Sequence, residues 1–189
     1  MAIPNWQVVI PTEEDWGDFK ADLDQEWAHR QFAGRTNAEM LPEFDRDVLG
    51  RSEDLHWMPP IPFRYYMLGF RDYMLAGKFA DSFASDAASS FLRLVLVLLE
   101  EEPAKIVPIM PELLPALRYV GGNQALFEAK EYIYGSFPAM LARIESLSAP
   151  RDTRFQVGSR SSSGGAKESS PRRKPSGRQG SKRKPRNGA

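Results

Sequence analysis

The stretch Pro62-Phe63-Arg64-Tyr65-Tyr66-Met67-Leu68-Gly69-Phe70-Arg71-Asp72-Tyr73-Met74-Leu75-Ala76-Gly77 decides the reading of this chain. Phe63, Tyr66, Met67, Phe70, Tyr73 and Met74 recur at helical spacing and form one broad apolar face. Proline suits a first helical turn, where its missing N–H costs nothing, and glycine suits a helix end. A helix over residues 62–76 closed by Gly77 is therefore predicted. Most of this aromatic and Met stripe reads as core, since such stripes usually are. Arg64, Tyr65 and Arg71 share the helix, and Trp57 and Met58 precede it, so Arg64, Tyr65, Arg71 and Trp57 are the candidate protein-binding residues.

Working outward, a partner helix is predicted over residues 87–102, with Asp86 as cap. Its run at residues 94–99 is apolar all round, which belongs in the middle of a bundle. On the N-terminal side, Pro59, Pro60 and Pro62 predict an irregular connector from Arg51 onward, their P-x-x-P spacing included. Before it, Pro42 and Gly50 bracket a short helix at residues 42–49. A helix over residues 13–31 is predicted from Thr12 as cap, from Glu13, Glu14 and Asp15 in its first turn, and from Trp16, Phe19, Leu23 and Trp27 on one stripe; Gly34 ends that region. Val8, Val9 and Ile10 have the character of a short strand. Towards the C-terminus, Pro103 should end the partner helix and residues 111–120 should form another, before the Gly121-Gly122 turn. Asn123 should cap a last long helix carrying Leu126, Phe127, Lys130, Ile133 and Tyr134, broken by Gly135 and Pro138 before a final piece at residues 138–147. The fold class is all-α: a compact bundle of about six helices.

The charge distribution divides the same chain in two. Residues 151–189 carry 12 Lys or Arg against Asp152 and Glu168, a formal +10, whereas residues 1–150 carry 13 Lys or Arg against 23 Asp or Glu, a formal −10. A net charge of +0 conceals these opposed halves. Ser, Gly, Pro, Lys and Arg dominate beyond Ser148 and periodicity disappears, so residues 1–150 are expected to fold as one helical domain and residues 151–189 to form a disordered basic tail. Its clusters, Arg172-Arg173-Lys174 and Lys182-Arg183-Lys184-Pro185-Arg186, suit phosphate neutralisation; with no aromatic beyond Phe155 there is no base stacking. Nucleic acid or another polyanion is the expected partner of Arg172, Arg173, Lys174, Lys182, Arg183, Lys184 and Arg186. In a eukaryotic source the same clusters read as nuclear import signals.

Several chemistries lack residues. The chain contains no cysteine, which removes disulfides, thiolate nucleophiles, thiolate zinc sites and iron–sulfur clusters, and fits a reducing, cytoplasmic setting. Met1 to Ile10 do not pattern as a secretory signal, and residues 91–99, interrupted by Arg93, fall far short of the roughly 20 apolar residues of a spanning helix. No Gly-x-Ser-x-Gly elbow is present, and Gly121-Gly122 and Gly164-Gly165 match neither a phosphate-binding loop nor a dinucleotide fingerprint, so no cofactor is implied. Only His29 and His56 could serve as histidine bases. Both stand in Glu-x-x-His, as Glu26 to His29 and Glu53 to His56, the spacing of di-iron carboxylate bundles. That site needs both motifs on helices and further inward carboxylates, whereas His56 is expected in the turn before the prolines and residues 94–99 offer no carboxylate. A surface or interface histidine is the plainer reading. Glu100-Glu101-Glu102 opposes the macrodipole at a helix end and reads as a solvated terminus or as a docking patch for cations.

Phe32-Ala33-Gly34, then Arg46-Asp47, then Pro62-Phe63-Arg64-Tyr65-Tyr66-Met67 resembles a family of small bacterial proteins known only as a domain of unknown function. In that family a Phe-x-Gly element, an Arg-Asp pair and a Phe-Arg-Tyr-Tyr helix start follow in this order. The resemblance covers residues 26–76, implies a compact bacterial cytoplasmic protein and transfers no catalytic residue. The sequence thus favours a non-catalytic binding or regulatory protein, with a body that binds a protein partner and a tail that contacts polyanion. The alternative is a metal-assisted hydrolase or oxidoreductase using the Glu-x-x-His motifs.

Overall fold

The computed structural model describes residues 9–79 and 83–149; residues 151–189, and with them every candidate tail residue, lie outside the described set, as does Val8. Among the described residues every regular element is helical. In chain order these are α1 Glu13–Trp16, α2 Leu23–Phe32, α3 Asn37–Arg46, α4 Val48–Trp57, α5 Pro60–Ala76, α6 Ala84–Glu101, α7 Pro103–Ile106, α8 Met110–Gly122, α9 Glu131–Tyr134 and α10 Phe137–Ser148.

Helix α5 is the centre of this body, packing against α3, α4, α6, α7 and α8. It starts two residues before the predicted boundary, because Pro60 is itself compatible with the first helical position. Its end is as expected: Gly77 adopts φ 62°, the left-handed region that costs other residues strain. Phe44 stacks on Phe70 with ring centroids 4.9 Å apart and planes 7° from parallel, and Phe91 of α6 meets Phe70 edge-on at 5.3 Å. Phe32 and Tyr66 complete a fully buried aromatic cluster, Phe32 meeting the Phe44 and Tyr66 rings at centroid distances of 6.2 and 5.0 Å. The apolar run of α6 has α4 on one side and α10 on another, as a run apolar all round requires.

Two of the three motif elements noted above meet in space, residues 32–34 and the start of α5, whereas Arg46-Asp47 has only local partners, Glu43, Gly50 and Arg51. The Tyr66 hydroxyl donates to the Phe32 carbonyl at 2.6 Å, with the Arg35 carbonyl 3.0 Å away, and so satisfies the end of α2 where Gly34 turns the chain at φ 75°. Asp47 caps α4 by accepting from the Gly50 N–H at 3.0 Å. Asn37, the first residue of α3, donates through Nδ2 to the Tyr65 carbonyl at 2.9 Å and lies directly over Gly69. A Cβ at Gly69 would come within 2.4 Å of Asn37 Oδ1. Although alanine is the better helix former, Gly69→Ala is therefore expected to destabilise by about 1–3 kcal/mol, read as a lower midpoint in urea unfolding.

Several sequence expectations are corrected. The helix expected over residues 13–31 is split: Gly17 takes φ 60°, Phe19–Ala21 form a 3-10 turn, and Asp22 recaps the chain by accepting from the Asp24 and Gln25 N–H groups. The stripe dissolves with it, leaving Trp16 buried and Leu23 82% exposed. Pro42 does not begin a helix but sits inside α3, which starts at a Thr36–Glu39 capping box, and Gly50 lies in the first turn of α4 rather than after a helix. The connector expected from Arg51 onward is helical as far as Trp57. Pro103 opens α7 besides closing α6. The long helix from Asn123 is absent: residues 123–130 form a folded loop ahead of the short α9, pinned by the Gln124 side chain, which donates to the Ala129 and Gly135 carbonyls and accepts from the Phe137 N–H. Neither Val9 nor Ile10 joins a strand.

Candidate functional site

Helices α4 and α6 lie against each other and leave a groove of about 390 Å³ along their contact. From α4 it is lined by Leu49, Ser52, Glu53 and His56, from α6 by Ser90, Arg93, Leu94 and Val97. Both sets fall at i, i+3, i+4 and i+7, so each helix offers one continuous stripe. Leu94 forms the floor at 7% exposure, while Leu49 stands 55% exposed at one end. Arg93 donates through Nε to Ser89 Oγ at 3.1 Å and through a terminal nitrogen to the Tyr134 carbonyl at 3.0 Å, which fixes its guanidinium on the rim. Glu53 accepts from the Trp57 indole N–H at 3.1 Å.

Beyond the prolines the structure solves a backbone problem with cations. Pro59 and Pro60 have no N–H to offer the end of α4, and the His56 carbonyl instead accepts a short hydrogen bond from Lys105 Nζ. Lys105 is buried beside Phe63, 3.5 Å from a Glu102 oxygen; desolvation holds its pKa below the usual lysine range, and Glu102 pulls it partway back. Arg64 then donates to the Ala104 and Lys105 carbonyls at 2.8 and 3.0 Å. Lys105 and Trp57 also line a second recess with Asp22, Gln25 and Glu102.

Both Glu-x-x-His motifs stand on helices, so the turn expected at His56 is corrected, but they do not share a site. His29 Nε2 lies 3.0 Å from each Glu13 carboxylate oxygen, and its ring stacks on Phe19 with centroids 3.7 Å apart. Glu26 pairs with Arg30 at 3.4 Å. Glu53 and His56 line the groove instead, and no group of three or more His, Asp or Glu is placed to hold a metal among the described residues. Of the residues expected at a protein interface, Tyr65 is 6% exposed, Arg64 is committed to α7 and Arg71 pairs with Asp72 at 2.7 Å, whereas Trp57 is 38% exposed. In the acidic run, Glu100 pairs with Arg143 at 3.2 Å and Glu102 with Lys105.

The groove was not anticipated from the sequence as a site. Its signal was present as a repeated spacing, 49, 52, 53, 56 on one helix and 90, 93, 94, 97 on the other, but only the helical register of α4 makes the first set a stripe. The chain matches no family model, no curated protein and no solved structure. No helix among the described residues is long and apolar enough to cross a membrane.

Proposed function

We propose that this is a non-catalytic binding or regulatory protein whose helical body docks a protein partner and whose basic tail contacts nucleic acid or another polyanion. The observation that carries the reading is the segregation of charge, +10 on residues 151–189 against −10 on residues 1–150. Support for the docking half comes from the face of α4, where Leu49 and Trp57 leave substantial apolar surface in water beside a groove with polar walls. In the tail, Arg172, Arg173, Lys174, Lys182, Arg183, Lys184 and Arg186 supply the phosphate contacts. A cytoplasmic setting, or a nuclear one in a eukaryotic source, belongs to the same proposal, as does the resemblance of residues 26–76 to the bacterial family.

A pull-down from native lysate with and without nuclease separates the two halves. The expected result is a nuclease-sensitive fraction lost on removing residues 151–189 and a nuclease-insensitive protein fraction lost with Leu49→Glu. Recovery unchanged by either alteration would overturn the reading. The metal-assisted alternative draws on Glu53 and His56 facing one groove, and it requires near-stoichiometric iron, zinc or manganese in elemental analysis of the purified chain.

A further inference from the structure

We propose that the α4–α6 groove is the contact surface of a two-fold symmetric pair of these chains. The inference rests on the docking reading above and names the occupant. Two adjacent helices with matched i, i+3, i+4, i+7 stripes form the kind of trough into which another helix packs, and here the surface offers both a projection, Leu49, and a recess floored by Leu94.

The charges choose the occupant. Glu53 stands on the α4 wall and Arg93 on the α6 wall, and neither belongs to an ion pair among the described residues. Each keeps hydrogen-bonding capacity: the second carboxylate oxygen of Glu53, and the third guanidinium nitrogen of Arg93. In an isologous contact residue i meets residue j and j meets i. A register that sets Glu53 against Arg93 of the partner subunit therefore also sets Arg93 against Glu53 of the partner subunit, and the pair takes that register because it matches both charges. A foreign helix would have to provide an acid and a base at the same separation. A contact confined to this groove is small, so a weak pair is expected, with a Kd on the order of micromolar.

Sedimentation equilibrium of the full chain over roughly 1–200 µM, bracketing that Kd, is the test. The mass is expected to rise from one chain towards two. Glu53→Arg and Arg93→Glu should each remain monomeric, because each places like charges opposite one another, and an equimolar mixture of the two variants should regain the mass of two chains. Thermal melts of both variants close to wild type would exclude misfolding, and Leu49→Glu, which alters no charge pair, should also remain monomeric. A wild-type chain that stays monomeric throughout, or single variants that pair as well as wild type, would overturn the proposal. If the wild type is monomeric while Leu49→Glu still loses its nuclease-insensitive partner, the symmetric pair falls and the docking reading stands.

Discussion

Truncating Phe70 to Ala is expected to cost about 3–5 kcal/mol of folding free energy, a large share of the 5–15 kcal/mol that a domain of this size holds. Phe70 lies on the central helix, and its ring is clamped between the parallel face of Phe44 on α3 and the edge of Phe91 on α6. Removing it opens a cavity where three helices meet and also forfeits two aromatic contacts of about 0.5–1.5 kcal/mol each, part of the same total. Phe70→Leu, which keeps most of the volume, should lose much less. Chemical denaturation reads both: an unchanged m-value with a lowered midpoint indicates a cavity in an intact fold, and an equal loss for the two variants would show that ring geometry outweighs volume.

The second large effect is electrostatic. Arg51 and Asp54 are both buried in α4, with Arg51 3.1 Å from Asp54 Oδ2 and its guanidinium over the Phe32 ring. The pairing is incomplete, since Arg51 Nε and Asp54 Oδ2 have no well-aligned hydrogen bond. Burial pushes the Asp54 carboxyl up to about 6, against the opposing pull of Arg51. Arg51→Ala leaves that carboxyl buried without its cation and is expected to cost about 1–2 kcal/mol at pH 7, a loss limited by proton uptake because the group already sits near 6. At pH 5 the loss should be smaller, because Asp54 then takes up a proton. The wild type carries the matching signature. A folded-state pKa raised above the unfolded value means that the contribution of Asp54 is full below about pH 4 and lost as pH rises through about 6. Relative to Asp54→Asn, the wild type should therefore gain on the order of 2–3 kcal/mol between pH 7 and pH 4. Parallel pH profiles for the two proteins would contradict this assignment.

The parts of the fold legible in the sequence were those where local chemistry and tertiary demand agree. Residues 62–76 combine proline at the start, an uninterrupted aromatic stripe and Gly77 at the end, and the helix is found there with its N-terminus extended to Pro60. The misread parts are those where a side chain outside the periodic pattern decides the backbone. Gly50 looked like a stop because glycine usually is one. In α4 it instead occupies a position where a Cβ would meet the Asp47 carboxylate at 2.2 Å, so glycine permits the cap rather than ending the helix. Pro42 looked like a start, but the Thr36–Glu39 box had already begun α3, with the Thr36 N–H donating to Glu39 at 2.8 Å. Residues 123–130 have helical spacing, yet the three hydrogen bonds of Gln124 outcompete the helix. The groove depends on one of these errors: with α4 ended at Leu49, Ser52, Glu53 and His56 had no common face.

In the proposed function the opposed charges divide the labour, with the tail contacting polyanion and the body docking protein. A fluorescence-anisotropy titration of labelled single-stranded DNA with the full chain, with residues 1–150 alone, and with the chain carrying Ala at Arg172, Arg173, Lys174, Lys182, Arg183 and Lys184 tests it most directly. The full chain should bind with an affinity that falls steeply and log-linearly with salt, by about tenfold or more between 50 and 200 mM, while residues 1–150 and the six-Ala chain should not bind measurably. Equal affinity for the full chain and residues 1–150, or binding insensitive to salt, would contradict the account.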